Sequence, residues 1–226
     1  MNNRLPYAFA LIVGTVGYLL TMALHPVGIA NAAAEVLTRQ NQIAIAVHAL
    51  GLLSVPLVIF GFVGLSARVG WGRASTQFAF IVYAMAAVAV GLAAVADGLV
   101  APALIQKTIG ASSESLAQLK TMLEFNWQFN QACAKVFVVG ASLAIIAWSY
   151  AVASVGMFER IVAWFGWFAG VASLAALFSG HIQMDVHGFG LIVLLQAIWN
   201  ICVGVSLLRS KLPVPFSKDA PQPGEA

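Results

Sequence analysis

The sequence predicts an all-α membrane protein in which about six helices cross the bilayer as one bundle. Of its 226 residues, 61% are hydrophobic and only 8% are charged, whereas soluble domains carry about 25% charged residues. The apolar residues are grouped in runs long enough to cross the hydrocarbon core, which takes about 20 residues of helix. Because lipid offers the backbone no hydrogen-bond partner, such runs must form helices.

Six apolar runs can be placed along the chain and together form one transmembrane domain, 1–209. The predicted spans are about 6–25, 42–66, 76–102, 130–153, 158–179 and 187–208. The second span can begin earlier, because Asn31 is a good N-cap and no helix breaker lies between Ala32 and Gln42.

A longer segment, 105–129, separates the third and fourth spans. Ser112 and Ser113 can cap a short helix there, in which Leu116, Leu119 and Leu123 share one face. We predict an outward amphipathic loop that either lies on the membrane surface or is an ordinary connector. The tail, 210–226, contains four prolines and little to bury, which predicts a disordered cytoplasmic segment.

The distribution of basic residues predicts the orientation. With six spans both termini share one side, and seven of the 11 Lys and Arg residues lie on it. These are Arg4, Arg68, Arg73, Arg160, Arg209, Lys211 and Lys218. The positive-inside rule therefore places both termini in the cytoplasm. The chain is then a multi-pass protein of a plasma or inner membrane.

The N-terminus has a second interpretation. Its apolar run is followed by Ala30-Asn31-Ala32, which resembles the small-residue cleavage site of a signal peptide. The run is longer than the usual signal core of about 7–15 residues, so we favour an uncleaved first span. Cleavage would remove His25 and leave five spans in the same orientation.

Polar residues gather near the outward ends of the spans. All four histidines fall on that side, together with Asp97, which lies inside the third span. An ionisable residue in a span costs at least about 2.5–3.5 kcal/mol on insertion scales, so it usually faces an internal cavity and has a partner. Asp97 is therefore the most informative residue for function.

Three interpretations of this outward cluster remain open. The first is a metal site built from His48, Asp97 and His187, because imidazole and carboxylate groups bind zinc, copper or iron. His25 and His181 are further candidate ligands, and Asp185 can orient a metal-bound imidazole as an outer hydrogen-bond partner.

The second interpretation is an electron-transfer protein in which His48 and His187 hold haem b. The third is a non-enzymatic structural or partner-binding membrane subunit, in which an Asp97–Lys135 ion pair locks the third and fourth spans together. A membrane-protein partner or a second copy of the chain fits this interpretation. Catalytic residues and the reaction stay unassigned.

Several function classes are disfavoured by the sequence. It contains no phosphate-binding G-x-x-x-x-G-K-[ST] loop, no H-E-x-x-H zinc motif and no G-x-S-x-G serine elbow. Its basic residues form no patch of the kind that binds nucleic acid. The lipid bilayer is thus the one partner that composition predicts directly.

Overall fold

The computed structural model describes residues 4–26, 34–180 and 186–209. Within them the chain is all helical and has six helices long and apolar enough to cross a membrane, which confirms the predicted fold class. The helices are α1 (Leu5–Ala23), α2 (Ala34–Val69), α3 (Ala74–Val95), α4 (Ala101–Gln106), α5 (Ser113–Val152), α6 (Met157–Ser179) and α7 (Val186–Arg209). A π-helical turn, Ala96–Val100, joins α3 to α4, so that Ala74–Gln106 forms one continuous third span.

Two predictions fall on other parts of the chain. The signal-like cleavage site at Ala30-Asn31-Ala32 and the tail 210–226 both lie outside the described residues. The spans of the described part begin and end within a few residues of their predicted positions, apart from the early starts of α2 and α5.

The six spans follow one another around a closed ring. Helix α1 packs against α2 and α7, and the remaining neighbours in the ring are α2 with α3, α3 with α5, α5 with α6, and α6 with α7. Aromatic side chains fill its centre: the rings of Phe62 and Trp148 stack with their centroids 4.3 Å apart, and Trp199 follows at 6.4 Å from Trp148. Leu53, Met85 and Phe168 are among the large apolar side chains exposed on the bundle surface, as contact with lipid requires.

Small residues bring α1 and α2 into close contact. A Cβ on Gly17 would lie 2.0 Å from Ser54 Oγ, and one on Gly61 would lie 2.4 Å from Leu11 Cβ. Membrane helices have lipid on every unpaired face, so they associate through close packing of this kind rather than through hydrophobic burial. The contact fixes the end of α1, and with it His25, beside α2.

Three helices extend well beyond the other three at one end of the bundle. Helix α2 has 36 residues, the third span 33 and α5 40, against 19, 23 and 24 in the others. At about 1.5 Å per residue the long helices measure roughly 50–60 Å, whereas the hydrocarbon core is about 30 Å thick. The extensions lie at the end where α1 stops and α7 starts.

The extension of α5 differs from the predicted loop at 105–129. In the structure 113–129 is helical and continuous with the fourth span, and only 107–112 links it to α4. Ser112 caps the helix by accepting a hydrogen bond from the Ser115 backbone N–H at 3.3 Å. The helix does not break at 130 because neither glycine nor proline occurs between Ser113 and Val139.

Polar contacts at the opposite end tie α2 to α6 and α7. Arg68 Nη2 lies 2.6 Å from Glu159 Oε1, and Ser206 Oγ donates to the same oxygen at 2.7 Å. Arg73 Nη1 donates to Ser154 Oγ at 2.9 Å, which joins the start of α3 to the end of α5. These contacts hold the far end of the bundle, away from His25.

Candidate metal centre

Three side chains from three segments converge at the end of the bundle where α1 stops. His25 Nε2 lies 3.0 Å from Asp97 Oδ2, and His48 Nε2 lies 3.3 Å from the same oxygen. One ligand atom from each of the three residues lies within 4.8 Å of the other two. The imidazole rings meet edge to face, with centroids 4.9 Å apart.

The three residues of this His25–His48–Asp97 group lie in different secondary-structure elements. His25 follows the end of α1, His48 lies within α2, and Asp97 is in the π-helical turn of the third span. The histidine side chains are 15% and 7% exposed, whereas Asp97 is 39% exposed. The carboxylate is therefore the member of the group that is most open to the adjoining cavity.

The second nitrogen of each imidazole is engaged by a backbone carbonyl. His25 Nδ1 is 3.0 Å from Pro26 O, and His48 Nδ1 is 2.7 Å from Ala44 O. A carbonyl oxygen can only accept a hydrogen bond, so Nδ1 carries the proton and donates in both rings. A neutral ring of this tautomer has a lone pair on Nε2, the atom that faces Asp97.

Lone pairs of two imidazoles and a carboxylate therefore point at one region. In each Nε2···Oδ2 contact two atoms with lone pairs face each other, so a proton or a metal ion must lie between them. Two protons, one for each contact, or a single metal ion bound by all three atoms would remove the repulsion. For a tetrahedral metal with bonds of about 2.0–2.1 Å, ligand atoms lie about 3.3 Å apart. The two Nε2···Oδ2 separations, 3.0 and 3.3 Å, are close to that value.

Burial lowers the pKa of His25, but the hydrogen bond with Asp97, the negative charge of Asp97 and the hydrogen bond with Pro26 O together raise it by more. The net result is a pKa of His25 above its ordinary value. The metal-free group thus holds a proton more firmly than an isolated histidine does. Any cation that enters the group must displace that proton.

The π-helical turn that carries Asp97 is held by asparagines from neighbouring helices. Asn126 Nδ2 donates to Ala96 O at 2.9 Å, and Asn130 Nδ2 donates to Ala93 O at 3.0 Å. A π-turn interrupts the regular ladder of α-helical hydrogen bonds, and such turns are frequent at functional sites. The side chains of α5 thus satisfy backbone carbonyls around the interruption and fix its place.

The start of α4, directly after this turn, is also fixed by a side-chain amide, which comes from α2. Asn41 of α2 donates its Nδ2 hydrogen to Pro102 O at 3.3 Å. The side chain of Asn41 is buried, as is that of Asn126. Buried amides that make such bonds rigidify the backbone around them.

Gly98 allows His48 to approach the π-helical turn. A Cβ on Gly98 would lie 2.1 Å from His48 Cβ and 2.4 Å from His48 Cγ. Real Cβ atoms do not approach other carbons so closely, so any larger residue would push the imidazole or the turn aside. The missing side chain next to Asp97 thus creates the space that His48 occupies.

A cavity of about 520 Å³ adjoins the group, within the range of small-molecule pockets. His25, His48 and Asp97 all line it, and the rest of the wall is mostly apolar. Its polar wall includes Gln40, Asn41, Asn130 and Gln131, and its described lining contains no lysine or arginine. The group is therefore accessible to a ligand from one side.

The structure places the predicted site residues as follows. His48 and Asp97 lie together, and His25, predicted as a further ligand, completes the group. His187 is exposed at the start of α7, outside the group and outside the cavity wall, so it is not brought next to His48. The candidate residues His181 and Asp185 lie outside the described residues.

The predicted Asp97–Lys135 ion pair is not formed in the described part of the chain. Lys135 is exposed on α5, and the ion pairs of Asp97 there are those with His25 and His48. The reason is the rotation of α5 about its axis. Asn126 and Asn130 face the third span, whereas Lys135 points away from the bundle.

Sequence reasoning missed Gly98 and Asn41 as supports of the group. A glycine directly after an intramembrane acid was the available signal for close approach of another helix. Comparison of the chain with known protein families, curated proteins and solved structures found no match.

Proposed function

We propose that this protein is an integral membrane metalloprotein in which His25, His48 and Asp97 bind a divalent transition-metal ion. The observation that carries the proposal is the convergence of two Nε2 lone pairs and one carboxylate oxygen on one region. Both imidazoles are oriented through their Nδ1–H bonds to carbonyls, which is the usual support of metal-bound histidine.

The donor set indicates which metals suit the group. Two imidazoles and one carboxylate, with coordination positions left open, are used by zinc hydrolases and by non-haem iron enzymes. A zinc ion bound in this way supplies a hydroxide near neutral pH. The residues of this chain would hold the ion, while the cavity supplies room for a ligand at its open position.

The proposal includes an orientation. We place the metal site at the outward face and both termini in the cytoplasm of a plasma or inner membrane. Support comes from the arginines of the described chain: Arg4, Arg68, Arg73, Arg160 and Arg209 lie at or near the bundle end opposite the site, whereas Arg39 lies at the site end. Basic residues are favoured on the cytoplasmic side.

The test is a metal titration of the purified full-length protein with Co²⁺, followed by its visible absorption and by elemental analysis. We expect about one Co²⁺ per chain in the wild type. Asp97→Asn, which keeps the shape of the side chain, should weaken Co²⁺ binding more than about 100-fold, since loss of even an outer hydrogen-bond partner weakens metal binding 10–100-fold. His48→Ala should have the same effect.

His187→Ala is the matched control, because His187 is a histidine of the same bundle end that lies outside the group. We expect it to bind Co²⁺ as the wild type does. Equal Co²⁺ binding by wild type and Asp97→Asn would contradict the proposal and leave the group as a proton-bridged structural network. Loss of binding only in His187→Ala would move the site elsewhere.

A further inference from the structure

We infer that the cavity beside the metal group takes a single-chain amphiphile, with an oxygen-bearing head group on the metal and an apolar tail directed into the bundle. This inference rests on the proposed metal site and names the class of ligand that the site would take. It comes from the way polarity changes along the cavity wall.

The inner end of the cavity is mostly apolar, although Tyr18 and Thr21 of α1, seven and four residues before His25, also line it. Val55 lies seven residues from His48 along α2, and Val90 lies seven residues before Asp97 along α3, so both are about 10 Å deeper in the bundle. Phe137 and Val193 also line this part of the wall. An extended hydrocarbon chain finds only apolar contacts among these four side chains.

The wall around and beyond the metal group contains the carboxamides of the cavity, beside apolar side chains such as Ile105 and Trp127. Gln40 and Asn41 lie about two turns farther out than His48 along α2. Asn130 lies within one turn of Asp97, because it donates to the carbonyl oxygen of Ala93. Carboxamides thus stand near the level of the metal or beyond it, where the head group of a ligand would lie.

The charged residues of the cavity wall indicate which head groups the cavity could accept. The described lining contains no lysine or arginine, so within it the bound metal ion would be the positive charge that neutralises an anionic head. A carboxylate or a similar oxygen donor would bind the metal directly, and the neighbouring amides could hydrogen-bond to it. The lipid that surrounds the helices concentrates such amphiphiles next to the protein.

The experiment compares two hydroxamates that share a metal-binding head and differ in the tail. The full-length protein is loaded with Co²⁺ in phosphatidylcholine nanodiscs, and dodecanohydroxamate or acetohydroxamate is titrated while the Co²⁺ absorption is followed. We expect both probes to change the spectrum and the long-chain probe to bind at least tenfold more tightly to the wild type.

Val90→Phe separates binding in the cavity from simple partition into the bilayer, because it fills the inner end without touching the metal group. We expect this variant to keep Co²⁺ and acetohydroxamate binding and to lose at least tenfold in affinity for dodecanohydroxamate. Val55→Phe, on another helix, serves as a second variant should Val90→Phe fail to load Co²⁺.

The outcomes are distinguishable. A wild type that binds Co²⁺ but whose long-chain affinity is unchanged by both phenylalanine variants would overturn the amphiphile inference and leave the metal site intact. A wild type that binds no Co²⁺ would overturn the metal site and this inference together.

Discussion

The imidazole of His48 reaches Asp97 only because Gly98 has no side chain. A Cβ at Gly98 would lie 2.1 Å from His48 Cβ, so either the histidine or the π-helical turn would have to shift. The histidine is also tied to its own helix through Ala44 O at 2.7 Å. The geometry of the His25–His48–Asp97 group is therefore sensitive to a single methyl group at a residue outside the group.

Gly98→Ala tests this dependence. Overpacking of this kind typically costs about 1–3 kcal/mol, and we expect it to displace His48 and to weaken Co²⁺ binding at least tenfold. Gly91→Ala is the control, since a Cβ at Gly91 has nothing within 4 Å. That variant should bind Co²⁺ normally and unfold at the same or a slightly higher temperature. Unchanged Co²⁺ affinity in Gly98→Ala would refute the assigned role.

The π-helical turn is an element whose position depends on its neighbours rather than on its own sequence. Asn126 and Asn130 of α5 donate to carbonyls on the third span from one side, and Asn41 of α2 does so from the other. Asp97 is thus placed by amides that do not touch it. These asparagines are positioning residues of the His25–His48–Asp97 group.

Removal of the Asn126 amide should change the metal site more than it changes the bundle. Asn126→Ala removes this side-chain hydrogen bond and leaves the Ala101 backbone N–H as the donor to the Ala96 carbonyl, a loss that typically costs about 0.5–1.5 kcal/mol. We expect Co²⁺ affinity to fall 10–100-fold and the Co²⁺ spectrum at saturation to shift. Gln128→Ala, at an exposed position on the same helix, should change neither. An unshifted spectrum in Asn126→Ala would mean that the amide supports only the fold.

At one end of the molecule three of the six spans extend well beyond the other three. The candidate site lies at that end. The extensions of α2, the third span and α5 stand above the ends of α1, α6 and α7. They continue the wall of the cavity past the metal group, with Gln40, Ile105 and Trp127 among the lining residues.

Cysteine labelling tests which side of the membrane this end faces. In a background with Cys133→Ser and Cys202→Ser, which removes the two free thiols, Glu114→Cys marks the site end and Gly72→Cys the opposite end. Both positions are exposed. We expect a membrane-impermeant maleimide to label Glu114→Cys in intact cells and Gly72→Cys only after permeabilisation. The reverse pattern would invert the proposed orientation.

Composition and apolar run length were sufficient to predict a six-span helical membrane protein. The physical reason is that lipid leaves a backbone of this composition no alternative to internally bonded helices. The depth of Asp97 and His48 could also be read from the chain, since each residue adds a fixed rise to a helix. The continuity of α5 through 113–129 could have been read as well, from the lack of a helix breaker.

The partners of Asp97 could not be read in this way. Depth follows from counting residues, but the direction in which a side chain points around its helix depends on how the helices pack. Gly17, Gly61 and Gly98 allow the close contacts of that packing, in which His25 and His48 face Asp97. Lys135, which the sequence offered as an equal partner, is on the exposed side of α5. Tertiary packing therefore decided which ligands meet, because it alone fixes the facing of each span.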